Sequence, residues 1–246
     1  MRLSPLLLAS GLAIAALTVT EVSADTLRDT LKQALKKPSA SQGSLGQDDA
    51  ANGLKEALAQ GVKRAVTQLG RRDGFEGNPV VRILVPQKLR GLTDTARRLG
   101  AGKKVDEFEL SMNRAAEQAV PVAADIFANA VRQMTVRDAV DIVRGADDAG
   151  TQYFRRVTED SLREKFQPIV ARATDQAGVT QRYKSLVGKN AGIGNLLGGG
   201  QSMDLDAYVT DEAMDGLFHV VAEQEKDIRR NPAQRTTALL RRVFGG

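Results

Sequence analysis

From Asp48 onward, apolar residues return three or four positions apart in one segment after another, which confines the chain to helices that bury one face. Leu54, Leu58, Val62, Ala65 and Leu69 form the first such stripe, and Gly70 ends it. After Pro86, placed where the first turn of a helix tolerates proline, come Leu89, Leu92, Ala96 and Leu99. Val105, Phe108, Met112, Ala116 and Ala119 stripe a third helix, and Pro121 starts a fourth with Ile126, Phe127, Ala130 and Val131. Thr135 followed three places on by Asp138 reads as the aspartate variant of a capping box, and Gly145 closes the helix it opens.

Asp147 and Asp148 open a short helix carrying Tyr153 and Phe154, and Thr158 caps the next, with Leu162, Phe166, Ile169, Val170 and Ala173. Pro168 falls inside that pattern, so a kink or a break is expected there. Tyr183, Leu186 and Val187 lie on a short helix, followed by a loop over 188–202 with six glycines. Asp204 and Thr210 then cap segments containing Leu205, Tyr208, Leu217, Phe218 and Val221, and Asn231-Pro232 starts a last helix that ends at Phe244. Only 78–86 reads as extended chain, with Val81 and Ile83 alternating against Arg82. Aromatic residues are only 4 % and there is no Trp, a composition that favours helix over strand. The expected fold class is all-α: a single globular multi-helix domain of about nine or ten helices.

The first residues have a different character. Arg2 precedes an uncharged apolar run of fourteen residues from Leu6 to Val19, shorter than the roughly 20 residues a membrane-spanning helix needs. Val22-Ser23-Ala24 then puts small side chains where a signal peptidase accepts them. Residues 1–24 are therefore expected to be a signal peptide cleaved after Ala24, which places the protein in the periplasm. Residues 25–47 are a short helix through Leu27, Leu31 and Leu35 and a flexible linker, and 48–246 the all-α domain. The chain has no cysteine, so it has neither a disulfide nor a lipoprotein anchor and must be held by its own core. After signal cleavage no transmembrane segment is expected, and the mature protein should be soluble.

Few residues support chemistry. His219 is the only histidine, so no metal site is expected, and the acids Asp204, Asp206, Asp211, Glu212 and Asp215 lack the EF-hand pattern and read as helix caps. Gly192 and Gly194 begin a dinucleotide fingerprint that Leu197 ends, so no cofactor is expected either. No serine sits in a nucleophile elbow, and no catalytic residue is assigned.

What remains is polar. Asn113, Arg114 and Glu117 share one flank of a helix and could orient a ligand, with Arg114 gripping an anion. Tyr153 and Arg155 form a second candidate. Arg229 and Arg235 belong to a lopsided basic stretch, Lys226 to Arg242, that faces only Asp227. The net charge of +5 favours anionic partners, here a lipid head group or glycan of the envelope. Nucleic acid is not expected, since no groove-reading motif is present.

Several strings carry a family resemblance. They are Gly53-Leu54-Lys55-Glu56-Ala57-Leu58, Glu109-Leu110-Ser111-Met112-Asn113-Arg114-Ala115-Ala116-Glu117, Thr151-Gln152-Tyr153-Phe154-Arg155 and Asp215-Gly216-Leu217-Phe218. The tail from Ile228-Arg229 through Asn231-Pro232 to Arg235-Thr236-Thr237 and Val243-Phe244 adds to them. Together, from about Gln47 to Phe244, the chain resembles the bacterial family called domain of unknown function 4197. The resemblance implies an exported helical protein, mostly of Gram-negative bacteria, and transfers no activity and no site residue.

The functional expectation is a non-catalytic periplasmic binding or envelope-interaction protein. The alternative is a hydrolase using Glu109 or Glu117 as general acid or base, which requires a carboxylate buried beside a cavity. The export reading has its own test. N-terminal sequencing of the protein recovered from its cells should begin at Asp25, and a chain still starting at Met1 in the cytosol would remove the compartment.

Overall fold

The computed structural model describes residues 47–176, 178, 181 and 204–230. The expected signal peptide and linker, the helix expected at Tyr183, the glycine-rich stretch and the helix expected at Arg235 lie outside the described residues. Among the described residues the fold is all-helical, without strands.

Seven α-helices are described, five of them eleven residues or longer, rather than nine or ten. They are α1 (Gln47–Leu69), α2 (Arg90–Ala96), α3 (Gly102–Ala119), α4 (Ala123–Gln133), α5 (Val136–Arg144), α6 (Ala149–Gln176) and α7 (Leu205–Arg230). The count falls because expected neighbours fuse. The segments begun at Asp147 and at Thr158 are one helix, α6, and those begun at Asp204 and Thr210 are one helix, α7. Thr158 does not cap: it is buried in α6, its hydroxyl donating to the Phe154 carbonyl four residues back at 2.7 Å. Thr210 is likewise buried inside α7.

Pro168 breaks nothing, since α6 runs through it. The proline lies on the exposed side of the helix, where water can satisfy the carbonyl its missing N–H leaves free.

Other punctuation is as the residues suggest. The Gly70 N–H closes the end of α1 on the Val66 carbonyl at 2.8 Å. Pro86 precedes a turn of 3-10 helix at Gln87–Leu89, and Pro121 lies in another at Val120–Val122. The Thr135 capping box is complete: its hydroxyl accepts from Asp138 N–H, and the Asp138 carboxylate accepts from Thr135 N–H at 3.0 Å. The α2 stripe ends one position early. Leu99 is 72 % exposed, because residues Arg97–Ala101 widen into a π-turn in which Gly100 takes the left-handed conformation at φ 79°.

One core joins the helices. α7 packs on α6, α1 and α3; α3 packs on α6; and α4 and α5 lie against α1. Phe127 centres the aromatic part, its ring 5.0 Å from Phe154 and 5.8 Å edge-on from Phe218, both favourable arrangements. α6 and α7 run antiparallel and are laced by Arg155–Asp215, Arg163–Asp211 and Thr174–Asp206.

Residues 70–86, between α1 and the first 3-10 turn, are not helical but still contribute Phe75, Val81, Ile83 and Val85 to the core. Gly216 on α7 lets this segment approach. A Cβ there would stand 2.8 Å from Phe75 Cε1 and 3.2 Å from Val81 Cβ. Gly91 in α2, by contrast, faces open space.

Two alanine substitutions should therefore differ in sign. Gly91→Ala should stabilise by up to about 1 kcal/mol through helix propensity. Gly216→Ala gains the same propensity but overpacks a rigid buried ring at about 1–3 kcal/mol, so it should lower the denaturant midpoint.

Candidate functional site

The candidates Asn113, Arg114 and Glu117 stand on α3, with Glu109 one turn before Asn113. Four-residue spacing puts Glu109, Asn113 and Glu117 in one row. That row looks onto the non-helical segment 73–86, whose main-chain groups need partners.

Asn113 is completely buried and behaves like one residue of a missing strand. Its Oδ1 accepts the Ile83 N–H at 2.8 Å, and its Nδ2 donates to the Ile83 carbonyl at 2.9 Å and to the Glu109 carbonyl at 2.9 Å. Each buried main-chain group left unpaired would cost about 1–3 kcal/mol, so this one amide anchors the extended stretch.

Glu117 anchors the loop before it. Its side chain is 5 % exposed, and Oε1 accepts from Phe75 N–H at 3.1 Å and Glu76 N–H at 3.3 Å. Its Oε2 takes Arg114 Nη1 at 2.6 Å. Arg114 Nη2 reaches on to Asp73 Oδ1 at 2.6 Å, and this guanidinium holds the Asp73 carboxyl below its ordinary range. Asp73 has φ 63°, a left-handed conformation that aspartate tolerates better than most residues.

The row continues outward through ions. Arg82 Nη2 lies 2.9 Å from Glu76 Oε1 and 3.4 Å from Glu109 Oε2, and Arg97 joins Glu109 to Asp106. Glu76 Oε2 and Arg82 Nε are buried with no hydrogen-bond partner. Burial raises the Glu76 carboxyl above its ordinary 4.5 against the pull of Arg82 and Arg114.

Beside this network an open groove of about 450 Å³ runs along the end of the extended segment. Arg82, Lys88 and Arg90 line it from one side, and Tyr208 and Glu212 of α7 from the other. The Tyr208 hydroxyl donates to the Leu84 carbonyl at 2.9 Å. Burial, then the Glu212 charge, pushes this phenol up to about 12, so it remains a donor at neutral pH. Sequence reasoning missed the groove. Its signal was thin: Arg82, Lys88 and Arg90 crowd one short stretch without an intervening acid.

The other candidates are dispersed. Tyr153 is buried, with its hydroxyl 3.4 Å from the Ala130 carbonyl. Arg155 lies 4.5 Å over the Phe218 ring and bonds Asp215 with both terminal nitrogens at 3.0 Å. Arg229 is not on a basic face, as expected from charge alone, because its side chain is 9 % exposed. It bonds the buried Glu225 at 2.9 Å and the Ile142 carbonyl at the end of α5 at 2.9 Å. Glu225 in turn accepts the Gly150 and Thr151 N–H groups at the start of α6, at 2.9 and 2.8 Å. Arg235 lies outside the described residues.

Glu76 gives the site a measurable pH signature. A raised carboxyl binds more protons folded than unfolded, so stability falls as pH rises through the window just above 4.5. Glu76→Gln should lose that dependence, and chemical unfolding of both proteins across this window should show the wild-type stability declining relative to the variant.

No curated protein and no solved structure matches the chain. The model of one family, described as a protein of unknown function (DUF4197), matches residues 44–245. These residues hold every described helix, the α3 row and the groove, and the chain belongs to the DUF4197 family.

Proposed function

We propose that this chain is an exported, non-catalytic binding protein for an anionic component of the cell envelope. One observation carries the reading. The carboxylates of the α3 row are spent on main-chain N–H groups and guanidiniums, Arg82 among them, while Lys88 and Arg90 in the adjoining groove form no ion pair among the described residues. Both oxygens of Glu117 are already engaged by hydrogen bonds, which suits holding a loop.

Arg229 is consumed internally, so the basic character that suggests an anionic partner is sought instead in Lys88 and Arg90 of the groove. No helix among the described residues is long and apolar enough to cross a membrane, so contact with an envelope component would be made from the surface of this domain.

The reading is tested by incubating the mature protein with purified peptidoglycan and with anionic and neutral vesicles. It expects retention on an anionic target that fades at high salt, with no soluble fragments released. Equal, negligible retention on all three overturns it. Release of fragments by the wild type and not by Glu109→Gln would establish a hydrolase instead.

A further inference from the structure

We infer that the groove between residues 82–90 and α7 is the binding site, and that it takes a single oxyanion, phosphate or carboxylate, carried on a short apolar body. The inference rests on the binding reading above and names the site and the group recognised.

Three features converge there. First, the groove has cations to spare. Lys88 and Arg90 form no ion pair among the described residues, and Arg82 keeps a buried Nε without a hydrogen-bond partner after its Nη2 serves Glu76 and Glu109. A guanidinium or ammonium left unneutralised beside a concave wall attracts an anion more strongly than one on open surface. Lysine offers an oxyanion a point charge and arginine a planar fork, and both line this groove.

Second, the cations are mounted on a rigid rim. Ile83 is tied to Asn113 through both its main-chain groups, and Tyr208 bonds Leu84, so the stretch bearing Arg82 is fixed on both sides. Lys88 sits in the 3-10 turn and Arg90 at the first position of α2. A site held this way loses little freedom on binding.

Third, the walls are mixed. Leu84 is 48 % exposed and lines the groove with Pro86 and Tyr208, giving apolar surface next to the charges. A volume of about 450 Å³ falls in the range of small-molecule sites. Glu212, on the far wall, disfavours a second anionic group at the other end of the ligand and so selects one with a single anionic end.

Isothermal titration of the full mature chain tests this with hexyl phosphate, hexanoate and neutral hexanol. The two anions should bind saturably and hexanol should not. Arg90→Glu should weaken the anions by about tenfold or more, the worth of a charged hydrogen bond. Lys63→Glu makes the same charge change in a separate depression on α1 and should leave affinity within about twofold. Arg90 and Lys63 are both exposed, so neither variant should unfold.

Binding that survives Arg90→Glu, or that Lys63→Glu weakens equally, overturns the site while leaving a binding protein. No saturable binding of either anion overturns the ligand class. Release of inorganic phosphate from hexyl phosphate would instead overturn the non-catalytic reading on which the site rests. A parallel arm with anionic vesicles distinguishes the source of the group. Vesicle binding abolished by Arg90→Glu assigns the oxyanion to a lipid head group, and vesicle binding absent beside hexyl phosphate binding assigns it to a soluble molecule.

Discussion

A main-chain N–H or C=O that leaves a helix and still enters the core must find a partner, and water is not available to it. Residues 70–86 face this demand, because they carry Phe75, Val81, Ile83 and Val85 into the apolar interior without helical hydrogen bonds. The fold answers from α3, with Asn113 pairing Ile83 and Glu117 pairing Phe75 and Glu76. Fixing these points lets the segment lie close to α7, where the bare Gly216 admits the Phe75 ring. The path of the chain from α1 to α2 follows from these two side chains.

The same device recurs at the opposite end of α7. Glu225, like Glu117, is a buried carboxylate that accepts from two successive main-chain N–H groups and from a guanidinium on its own helix. A carboxylate alone in such a place would cost several kcal/mol of lost hydration. Here the helix start at Gly150 and Thr151 adds favourable dipole to the hydrogen bonds, and Arg229 supplies the countercharge. Arg229 also satisfies the Ile142 carbonyl, so one ion pair closes the end of α5 and opens α6.

Much of this was legible in local residues. The stripes of α1, α3 and α4, the capping box at Thr135 and the stops at Gly70 and Gly145 depend on neighbours within one or two turns, so pattern suffices to find them. Helix number was less legible, because threonines at 158 and 210 look like caps until tertiary packing buries them inside longer helices. The α3 row was visible as polar residues, but its purpose depends on a main chain 30 to 42 residues away. One signal did point inward: Asn113 and Glu117 are flanked by Met112, Ala115, Ala116 and Ala119, so their side belongs to the apolar face. Arg229 was misplaced for a related reason. Counting charges along 226–242 leaves out Glu225, which stands one helical turn before Arg229 and consumes its charge.

The clamp and the groove are connected by geometry. An extended chain directs successive main-chain groups to opposite sides, so the pairing of Ile83 with Asn113 turns its neighbours toward α7 and solvent. Arg82 and Leu84 are those neighbours, and both line the groove. The buried amide on α3 thereby sets the outer face of the segment as firmly as the inner one. A charge held on such a rim keeps its position whether or not an anion is near, which is the condition for recognition without rearrangement. The acids of α3 hold main chain and guanidiniums, and Arg82 links them to the groove, where Lys88 and Arg90 form no ion pair among the described residues.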